Sequence, residues 1–266
     1  MISEKYEILK RNLGKMEKIV VAFSGGVDST FLLKVCIDTV GTSNVLAVTA
    51  NSETYPTSEL EDAIKLTKCL GVNHRIVETS ELNIPGYIEN TINRCYFCKK
   101  NLFEILVPIM EQYQYKNVVY GLIADDMNEH RPGTKAAKEM GVRGPLQEVG
   151  FTKEEIRILS RDMGLPTWDK PSFACLSSRI MYGEEITMYK LRKIDRSEQY
   201  LRGLGIRQVR VRTHDNIARI EVEPDCMLTV LTNHSDITST LQSFGYRYVT
   251  MDLLGYKSGS MNKGIN

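Results

Sequence analysis

The stretch that most limits the possible folds is SGGVDS, residues 24–29. It follows the apolar run 18–23 and precedes a segment, 28–40, whose apolar residues recur at helical spacing. Its two glycines let the backbone turn tightly and present bare N–H groups, and a helix that starts here adds the positive end of its dipole. A strand, glycine loop and helix in this order predict an oxyanion site, with Ser24 and Ser29 as hydroxyl donors.

The same loop limits the chemistry. It does not match G-x-x-x-x-G-K-[ST], so the lysine that holds the β- and γ-phosphates in Walker-type NTPases is missing. The loop therefore favours the pyrophosphate of ATP, cradled by Ser24, Gly25, Gly26 and Ser29, over transfer of the γ-phosphate. A glycine-rich turn without a ligand is the alternative. SGGVDS resembles the PP-loop of the N-type ATP pyrophosphatases, which cleave ATP between its α and β phosphates and adenylate an acceptor.

Strand and helix patterns alternate after the loop. The continuous apolar run 44–50 is typical of a strand that is buried on both faces of a parallel sheet, and a third and a fourth strand are predicted at 74–78 and 117–121. The alternation predicts an α/β fold with a doubly wound parallel sheet. The resemblance of the loop implies the PP-loop ATP pyrophosphatase, or adenine nucleotide alpha hydrolase-like, kind of this fold. Because ligands bind at the carboxyl ends of such strands, we expect Thr49 and Gly121 beside the loop as nucleotide contacts.

The C-terminal part has a different pattern. A helix is predicted over 187–203, followed by a strand over 208–212 in which valine alternates with arginine, so that one face is apolar and the other basic. A hairpin then leads to a strand at 217–222. We therefore predict a PP-loop ATP pyrophosphatase domain at 1–184 and a smaller α+β substrate domain at 185–266.

Composition excludes some partners. The formal net charge is +1, from 34 basic and 33 acidic residues, which provides no overall field for nucleic acid or an anionic membrane. No apolar run approaches the ~18 residues of a membrane span, and the charged N-terminus is unlike a signal peptide. We expect a cytoplasmic protein in which the six cysteines are thiols, metal ligands or reactive groups rather than disulfides.

Two of these cysteines, Cys95 and Cys98, form a CxxC pair at the start of a helix. A thioredoxin-like redox pair would follow an early strand, whereas this one follows the third. A tetrahedral zinc site would need four ligands, and no second CxxC or His-x₃-His completes it.

Cys175 is the third candidate, in a loop with two serines and an arginine between Pro171 and Gly183. Three thiolates fit a [4Fe-4S] cluster whose fourth iron stays open to an external ligand such as sulfide. A buried thiol is the alternative for each. Three further cysteines are expected not to be ligands: Cys36, Cys69 and Cys226.

Charged residues complete the candidate site. Asp28 is the predicted Mg²⁺ contact, because charge must be neutralised as the α–β bond of ATP breaks. Asp125 and Asp126 follow a strand and suit a metal or a ribose, with helix capping as the alternative. Guanidinium binds phosphate bidentately, which suits three arginines to a substrate phosphate or an adenylate: Arg179, Arg210 and Arg212. An exposed salt-bridged surface is the alternative for Arg210 and Arg212, which share one face of a strand.

Taken in order, these motifs resemble the LarE-type ATP-dependent sulfur transferases over nearly the full length. The motifs are SGGVDS, Arg94-Cys95-x-x-Cys98, Gly121-x-x-Ala124-Asp125-Asp126 with Arg131-Pro132-Gly133, PSFACLSSRI at 171–180, and Arg210-Val211-Arg212 leading to 218–222. PSFACLSSRI is the most specific of them.

The resemblance implies a function. In that family ATP adenylates a pyridinium dicarboxylate carried on a mononucleotide, and sulfur then replaces the activated oxygen in the synthesis of a nickel-pincer cofactor. Some members sacrifice the sulfur of the cysteine matching Cys175, and others have the extra CxxC and use a three-cysteine [4Fe-4S] cluster as sulfide carrier. With Cys95 and Cys98 both present, this chain resembles the second kind.

The expected cofactors and partners are therefore ATP, Mg²⁺, a [4Fe-4S] cluster, a small carboxylate acceptor, a sulfide donor of unknown kind, and further copies of the chain in a homo-oligomer. Thiolation of tRNA is the alternative enzymatic function, but it needs a basic stripe that the sequence lacks. A sensor that binds ATP or an iron–sulfur cluster without turnover is the alternative from outside the enzymes.

Overall fold

The structure, a computed structural model, describes residues 2–128, 132–172, 174–257 and 259–262. The chain packs into two compact units. The first comprises Met1–Ser52, Ser58–Ser80 and Asn93–Lys170, and the second Glu53–Thr57, Glu81–Ile92 and Pro171–Asn266. The domain boundary predicted between residues 184 and 185 stays a prediction. Within the described ranges, no helix is long and apolar enough to cross a bilayer.

The first unit alternates strands and helices in the order α1 (Ile2–Gly14), β1 (Ile19–Ala22), α2 (Val27–Val40), β2 (Val45–Asn51), α3 (Thr57–Cys69, whose first residue belongs to the second unit), β3 (Asn73–Glu78), α4 (Arg94–Gln112), β4 (Asn117–Tyr120), α5 (Pro132–Glu139), α6 (Pro145–Val149) and α7 (Lys153–Asp162).

Its four strands form one parallel sheet in the order β3-β2-β1-β4. Successive side chains of a strand point to opposite faces. Ile19 and Val21 accordingly pack in one cluster with Phe31 of α2, and Val20 packs in another with Phe103 of α4. Helices cover both faces, which confirms the predicted doubly wound α/β fold.

The strand order also locates the ligand edge. β2 lies on one side of β1 and β4 on the other, so the chain changes direction of travel at β1. In open α/β sheets ligands bind outside the carboxyl ends of the strands at such a switch point. The segment between Ala22 and Val27, which carries the glycine loop, lies there.

The second unit is an α+β arrangement. Its elements are a short 3-10 helix (Leu176–Arg179), α8 (Met188–Gly203), β5 (Val209–His214), β6 (Ile217–Val222), α9 (Met227–Thr232), α10 (His234–Ser243) and β7 (Tyr248–Met251). The sheet order is β5-β6-β7, with β5 and β6 antiparallel and β6 and β7 parallel.

The hydrophobic core of this unit forms where Leu201 of α8 and Leu241 of α10 pack with Val209, Val211 and Ile220 of the sheet. This confirms a second, smaller sheet near the C-terminus. The hairpin turns at Asp215 and Asn216, so β5 runs to His214, two residues beyond its predicted end at 212.

Candidate active site

The glycine loop leads into a row of backbone amides at the start of α2. Thr30 N is the first amide of α2 with a helical hydrogen bond, 2.9 Å to Gly26 O. The N–H groups of Gly26, Val27, Asp28 and Ser29 have no hydrogen-bond partner within the part of the chain that the structure describes. Unpaired N–H groups at the positive end of a helix dipole are the donors that bind phosphate in proteins.

The two serines tie the loop together. Ser24 Oγ lies 3.1 Å from Ser29 Oγ, and Ser24 N donates to Ser29 Oγ at 3.3 Å. Ser29 Oγ in turn donates to Gly26 O at 3.2 Å. These bonds hold the two ends of the loop together, and phosphate binding by either hydroxyl stays a prediction.

Two glycines explain how closely the loop packs. Gly25 has a φ of +63°, and a Cβ there would lie 3.3 Å from Ala63 Cβ of α3. A Cβ on Gly121, which follows β4, would lie 3.0 Å from Ser29 N and 3.2 Å from the carbonyl carbon of Asp28. Gly121 is therefore beside the loop, as expected, and its missing side chain lets the start of α2 approach the end of β4.

Thr49 lies below the loop, in β2. It is buried, and its hydroxyl donates to Phe23 O at 2.9 Å, directly before the loop. His74 lies between Thr49 Oγ1, 2.8 Å from its Nε2, and Thr67 Oγ1, 3.0 Å from its Nδ1. Burial lowers the pKa of the His74 imidazole. Thr49 thus supports the loop from beneath, and direct contact with a nucleotide stays a prediction.

Asp28 is paired with a lysine that the sequence analysis did not single out. Lys153 Nζ donates to both carboxylate oxygens of Asp28, at 2.7 and 2.6 Å. Lys153 is the first residue of α7, and a capping box formed by Thr152 and Glu155 fixes the start of that helix. The T-x-x-E spacing of this capping box is a local pattern, whereas the contact of Lys153 with the loop depends on how α7 packs.

The two other acidic candidates support the same region. Asp125 Oδ2 accepts from the backbone N–H of Lys153 at 2.6 Å, and Asp126 Oδ2 accepts from Ile123 N at 3.2 Å. Asp125 therefore satisfies an unpaired amide at the start of α7, as in the helix-capping alternative. A role of either carboxylate in binding metal or ribose stays a prediction.

A second unanticipated lysine holds the loop itself. Lys170 Nζ lies 2.8 Å from Glu59 Oε2 and donates to Asp62 Oδ2 at 2.9 Å, both on α3. It also donates to Gly25 O at 3.3 Å. Lys170 thereby links the glycine loop to α3.

The CxxC pair lies in the first turns of α4. Cys95 is exposed and Cys98 is half-buried. Residues three apart on a helix lie on the same face, so the helix presents both thiols on one side. Within the described residues of either unit, no three Cys, His, Asp or Glu side chains form a ready-made metal site.

Cys175 belongs to the second unit, directly before the short 3-10 helix, and is half-buried. Arg179 Nη1 donates to the carbonyl oxygens of Ala174 and Cys175, the latter at 2.8 Å. Arg179 is fully buried, and its Nε and Nη2 bind the two oxygens of Glu198 at 2.8 and 2.9 Å. The cysteine loop is thus held by a buried ion pair.

The electrostatics of that pair are strong. Burial alone would raise the pKa of the Glu198 carboxyl, but the charge and hydrogen bonds of Arg179 outweigh it and lower the pKa to about 2. Burial also opposes the charge on Arg179, yet Glu198 raises the pKa of the guanidinium. Both groups are therefore charged at neutral pH.

The other two arginines are also buried, each 5 % exposed. Arg210 donates to Ser172 O, and burial together with the charge of Arg179 lowers its pKa to about 10. Arg212 Nε donates to Glu221 Oε2 at 3.0 Å, and its Nη1 to Ser178 O at 3.0 Å. An exposed salt-bridged surface is therefore wrong for them, because both faces of β5 are covered. Phosphate binding stays a prediction.

The remaining cysteines have different surroundings. Cys36 is buried in α2, and burial raises the pKa of its thiol. Cys69 is exposed at the end of α3, and Cys226 is half-buried. Two residues of the motifs, Arg131 and Phe173, lie outside the described residues.

Comparison with known proteins decides the family. The model of the NAD synthase family matches residues 1–122. The pyridinium-3,5-bisthiocarboxylic acid mononucleotide synthase of Lactiplantibacillus plantarum is 38 % identical over 98 % of this chain and 95 % of its own length. The chain belongs to the LarE-type sulfurtransferase family.

Two further relatives are similar to this chain. An uncharacterised protein of Synechocystis is 45 % identical to this LarE-type chain, over 99 % of this chain and 98 % of the Synechocystis protein. The NH₃-dependent NAD⁺ synthetase of Methanococcoides burtonii is 31 % identical over 57 % of the chain and 59 % of that protein. The resemblance read from the motifs is confirmed, and the protein is an ATP-using sulfurtransferase of the PP-loop class.

Proposed function

We propose that this LarE-type enzyme uses ATP to adenylate a carboxylate, releases pyrophosphate, and then replaces the activated oxygen with sulfur. The observation that carries the proposal is the row of four unpaired amides from Gly26 to Ser29 at the start of α2. They can hold a pyrophosphate group, and the loop lacks the lysine that γ-phosphate transfer uses.

The reaction has two balanced steps. An oxygen of the acceptor carboxylate attacks the α-phosphorus of ATP, the bond from that phosphorus to the α–β bridging oxygen breaks, and pyrophosphate leaves with the bridging oxygen. Hydrosulfide sulfur then attacks the acyl carbon, AMP leaves with the acyl oxygen, and one proton is released with the thiocarboxylate. Donors fixed around the leaving group favour the first step, because they need no reorganisation as its charge develops.

Asp28 is the proposed Mg²⁺ contact. Carboxylate oxygen is a preferred Mg²⁺ ligand, and the Asp28 side chain is 22 % exposed at the loop edge. Its pairing with Lys153 shows that this position already attracts a cation. A bound magnesium ion would neutralise charge on the phosphates, while Lys153 would have to share or leave the carboxylate.

The acceptor proposed is the dicarboxylate precursor of the product that names the Lactiplantibacillus relative, a pyridinium bisthiocarboxylic acid mononucleotide. We assign Arg179, Arg210 and Arg212 to the acceptor phosphate or the adenylate. Their charges are buried in ion pairs and loop contacts, so the arginines are held in place before a ligand arrives.

For the sulfur source we propose a [4Fe-4S] cluster bound by Cys95, Cys98 and Cys175. The donor chemistry fits, since none of the three thiols is fully buried and α4 presents two of them on one side. When bound, such a cluster supplies sulfide at the iron that has no cysteine ligand. Arg179 would keep the Cys175 backbone in place through its bond to the Cys175 carbonyl oxygen.

Product analysis tests the adenylation. Protein incubated with ATP, Mg²⁺, sulfide and a pyridinium dicarboxylate mononucleotide should form AMP and pyrophosphate in step with thiocarboxylate. ADP and orthophosphate would show that the loop does not work as a pyrophosphatase. Tight binding of ATP without any cleavage would instead support the sensor alternative.

A further inference from the structure

The orientation of one peptide group decides whether the anion site has its first donor. The Gly25–Gly26 peptide is trans, as are all peptide bonds that the structure describes, so the Gly25 C=O and the Gly26 N–H point in opposite directions. The N–H of Gly26 is available to a phosphate only if the C=O of Gly25 points away from it.

The loop sequence alone does not fix that orientation. Rotating this peptide changes ψ of Gly25 and φ of Gly26, and glycine tolerates both signs of φ at little steric cost. The only hydrogen bond of the Gly25 carbonyl oxygen within the described ranges comes from Lys170 Nζ, at 3.3 Å. The hydrogen bond to this peptide therefore comes from a side chain 145 residues away along the chain.

Lys170 is itself firmly held. Its ammonium group lies 2.8 Å from Glu59 Oε2 and 2.9 Å from Asp62 Oδ2 on α3. Its backbone carbonyl accepts from Arg157 Nη2 of α7 at 2.8 Å, and its N–H donates to Thr167 O at 3.0 Å. Only 15 % of its side chain is exposed.

We propose that Lys170 is a positioning residue that locks the Gly25–Gly26 peptide with its N–H toward the phosphate. This inference rests on the proposed function, since it concerns pyrophosphate binding at the same loop. Lys170 acts through the backbone of Gly25, and its charge is already satisfied by the two carboxylates of α3. Without it the peptide is free to rotate and the first of the four donors is lost.

Binding of inorganic pyrophosphate, followed by calorimetry without nucleotide, tests the proposal. Lys170→Met should weaken binding by about tenfold or more, the typical effect of losing one hydrogen bond to a charged group. Lys170→Arg keeps a charged donor and should recover most of the affinity. Lys5→Met is the matched control, because Lys5 also joins a carboxylate, Glu155, to a backbone carbonyl, Gly150 O, elsewhere in the same unit.

A second variant separates positioning from direct contact with phosphate. Glu59→Gln combined with Asp62→Asn leaves Lys170 intact but releases its ammonium group from α3. If Lys170 positions the peptide, this variant also binds pyrophosphate more weakly. If Lys170 were a phosphate ligand, release from two carboxylates would leave binding unchanged or strengthen it, which would overturn the proposal.

The backbone itself provides the third readout. With ¹⁵N-labelled glycine, the amide signal of Gly26 in ligand-free protein should shift or broaden in Lys170→Met and stay in place in Lys5→Met. Wild-type binding in Lys170→Met, or weaker binding with an unchanged Gly26 signal, overturns the positioning role alone. Failure of the wild-type protein to bind pyrophosphate would instead remove the proposed function and this inference together.

Discussion

At the scale of single residues, Asp28 carries the most specific prediction. Asp28→Asn should lower the rate of pyrophosphate release by on the order of a hundredfold, because metal binding and charge neutralisation at the phosphates are lost. The fold should persist, since the carboxylate is partly exposed and asparagine keeps its size. Rates of pyrophosphate release and thermal denaturation measure the two effects.

The same helix offers a matched control. Asp38 of α2 is also paired with a lysine, since Lys34 Nζ donates to its two carboxylate oxygens at 2.5 and 2.6 Å. This pair lies near the end of the helix that is far from the loop. Asp38→Asn should leave the rate unchanged. Equal losses in both variants would show that the effect comes from weakening α2 and not from a metal contact.

His74 makes stability depend on pH. Burial lowers its pKa in the folded state, so as the pH falls the unfolded chain takes up a proton before the folded one does. The stability from neutral His74 is therefore complete above about pH 6.5 and is lost as the pH falls toward the lower folded-state pKa. Wild-type protein should lose more stability than His74→Gln between about pH 7.5 and pH 5.5.

The free energy of unfolding at each pH can be measured by urea unfolding monitored through tryptophan fluorescence. The single tryptophan of the chain, Trp168, lies in the same unit as His74 and therefore reports on that unit. His234→Gln, at an exposed position of α10, is the control and should behave as wild type. An identical pH dependence in His74→Gln and wild type would mean that burial does not favour the neutral ring.

At the scale of elements, the junction of β4 and α2 is the closest approach around the loop. Gly121→Ala would place a methyl group 3.0 Å from Ser29 N, tighter than ordinary packing, so the start of α2 must shift by a few tenths of an ångström. Because catalysis is sensitive to small displacements, we expect turnover to fall on the order of tenfold.

Steady-state pyrophosphate release measures that loss. Gly14→Ala, at the end of α1, is the control, since its new methyl group would lie an ordinary 3.7 Å from Thr39 Cγ2. Normal turnover in Gly121→Ala would mean that α2 can yield without disturbing the amides of the anion site.

Local patterns were enough to predict most elements. Apolar runs and the SGGVDS loop predicted β1, β2, β4 and the start of α2 within one or two residues, because strand burial and glycine turns are encoded locally. The strand predicted at 217–222 is observed over the same residues as β6.

Contacts that close over long distances could not be predicted in this way. Nothing local to Lys153 or Lys170 shows that their side chains reach the loop at Asp28 and Gly25, because those contacts depend on how α7 and α3 pack. The alternation of valine and arginine in β5 likewise predicted a basic face but not its burial. The guanidinium groups of Arg179 and Arg212 can be buried because each is paired with a buried carboxylate, Glu198 and Glu221 respectively.

At the scale of the whole molecule, the residues proposed for the chemistry are divided between the two units. The glycine loop and the CxxC pair belong to the first unit, and Cys175 with the three arginines belongs to the second. Buried charges restrain the backbone around Cys175, since Arg179 donates to Cys175 O and Arg210 donates to Ser172 O. Fixed backbone around a cysteine suits a residue that must keep its place through repeated turnover.

The source of the sulfur is the last prediction, and the cysteines decide it. Protein prepared without oxygen should be brown and contain about four irons per chain. Cys95→Ala, Cys98→Ala and Cys175→Ala should each lose iron, because three thiolates are the proposed ligands. The matched controls are the same change at the three other cysteines, which should keep iron: Cys36, Cys69 and Cys226.

Mass spectrometry after repeated turnover should find Cys175 intact. Colourless protein with dehydroalanine at position 175, formed in step with product and indifferent to changes at Cys95 and Cys98, would instead establish Cys175 as the sacrificial sulfur donor.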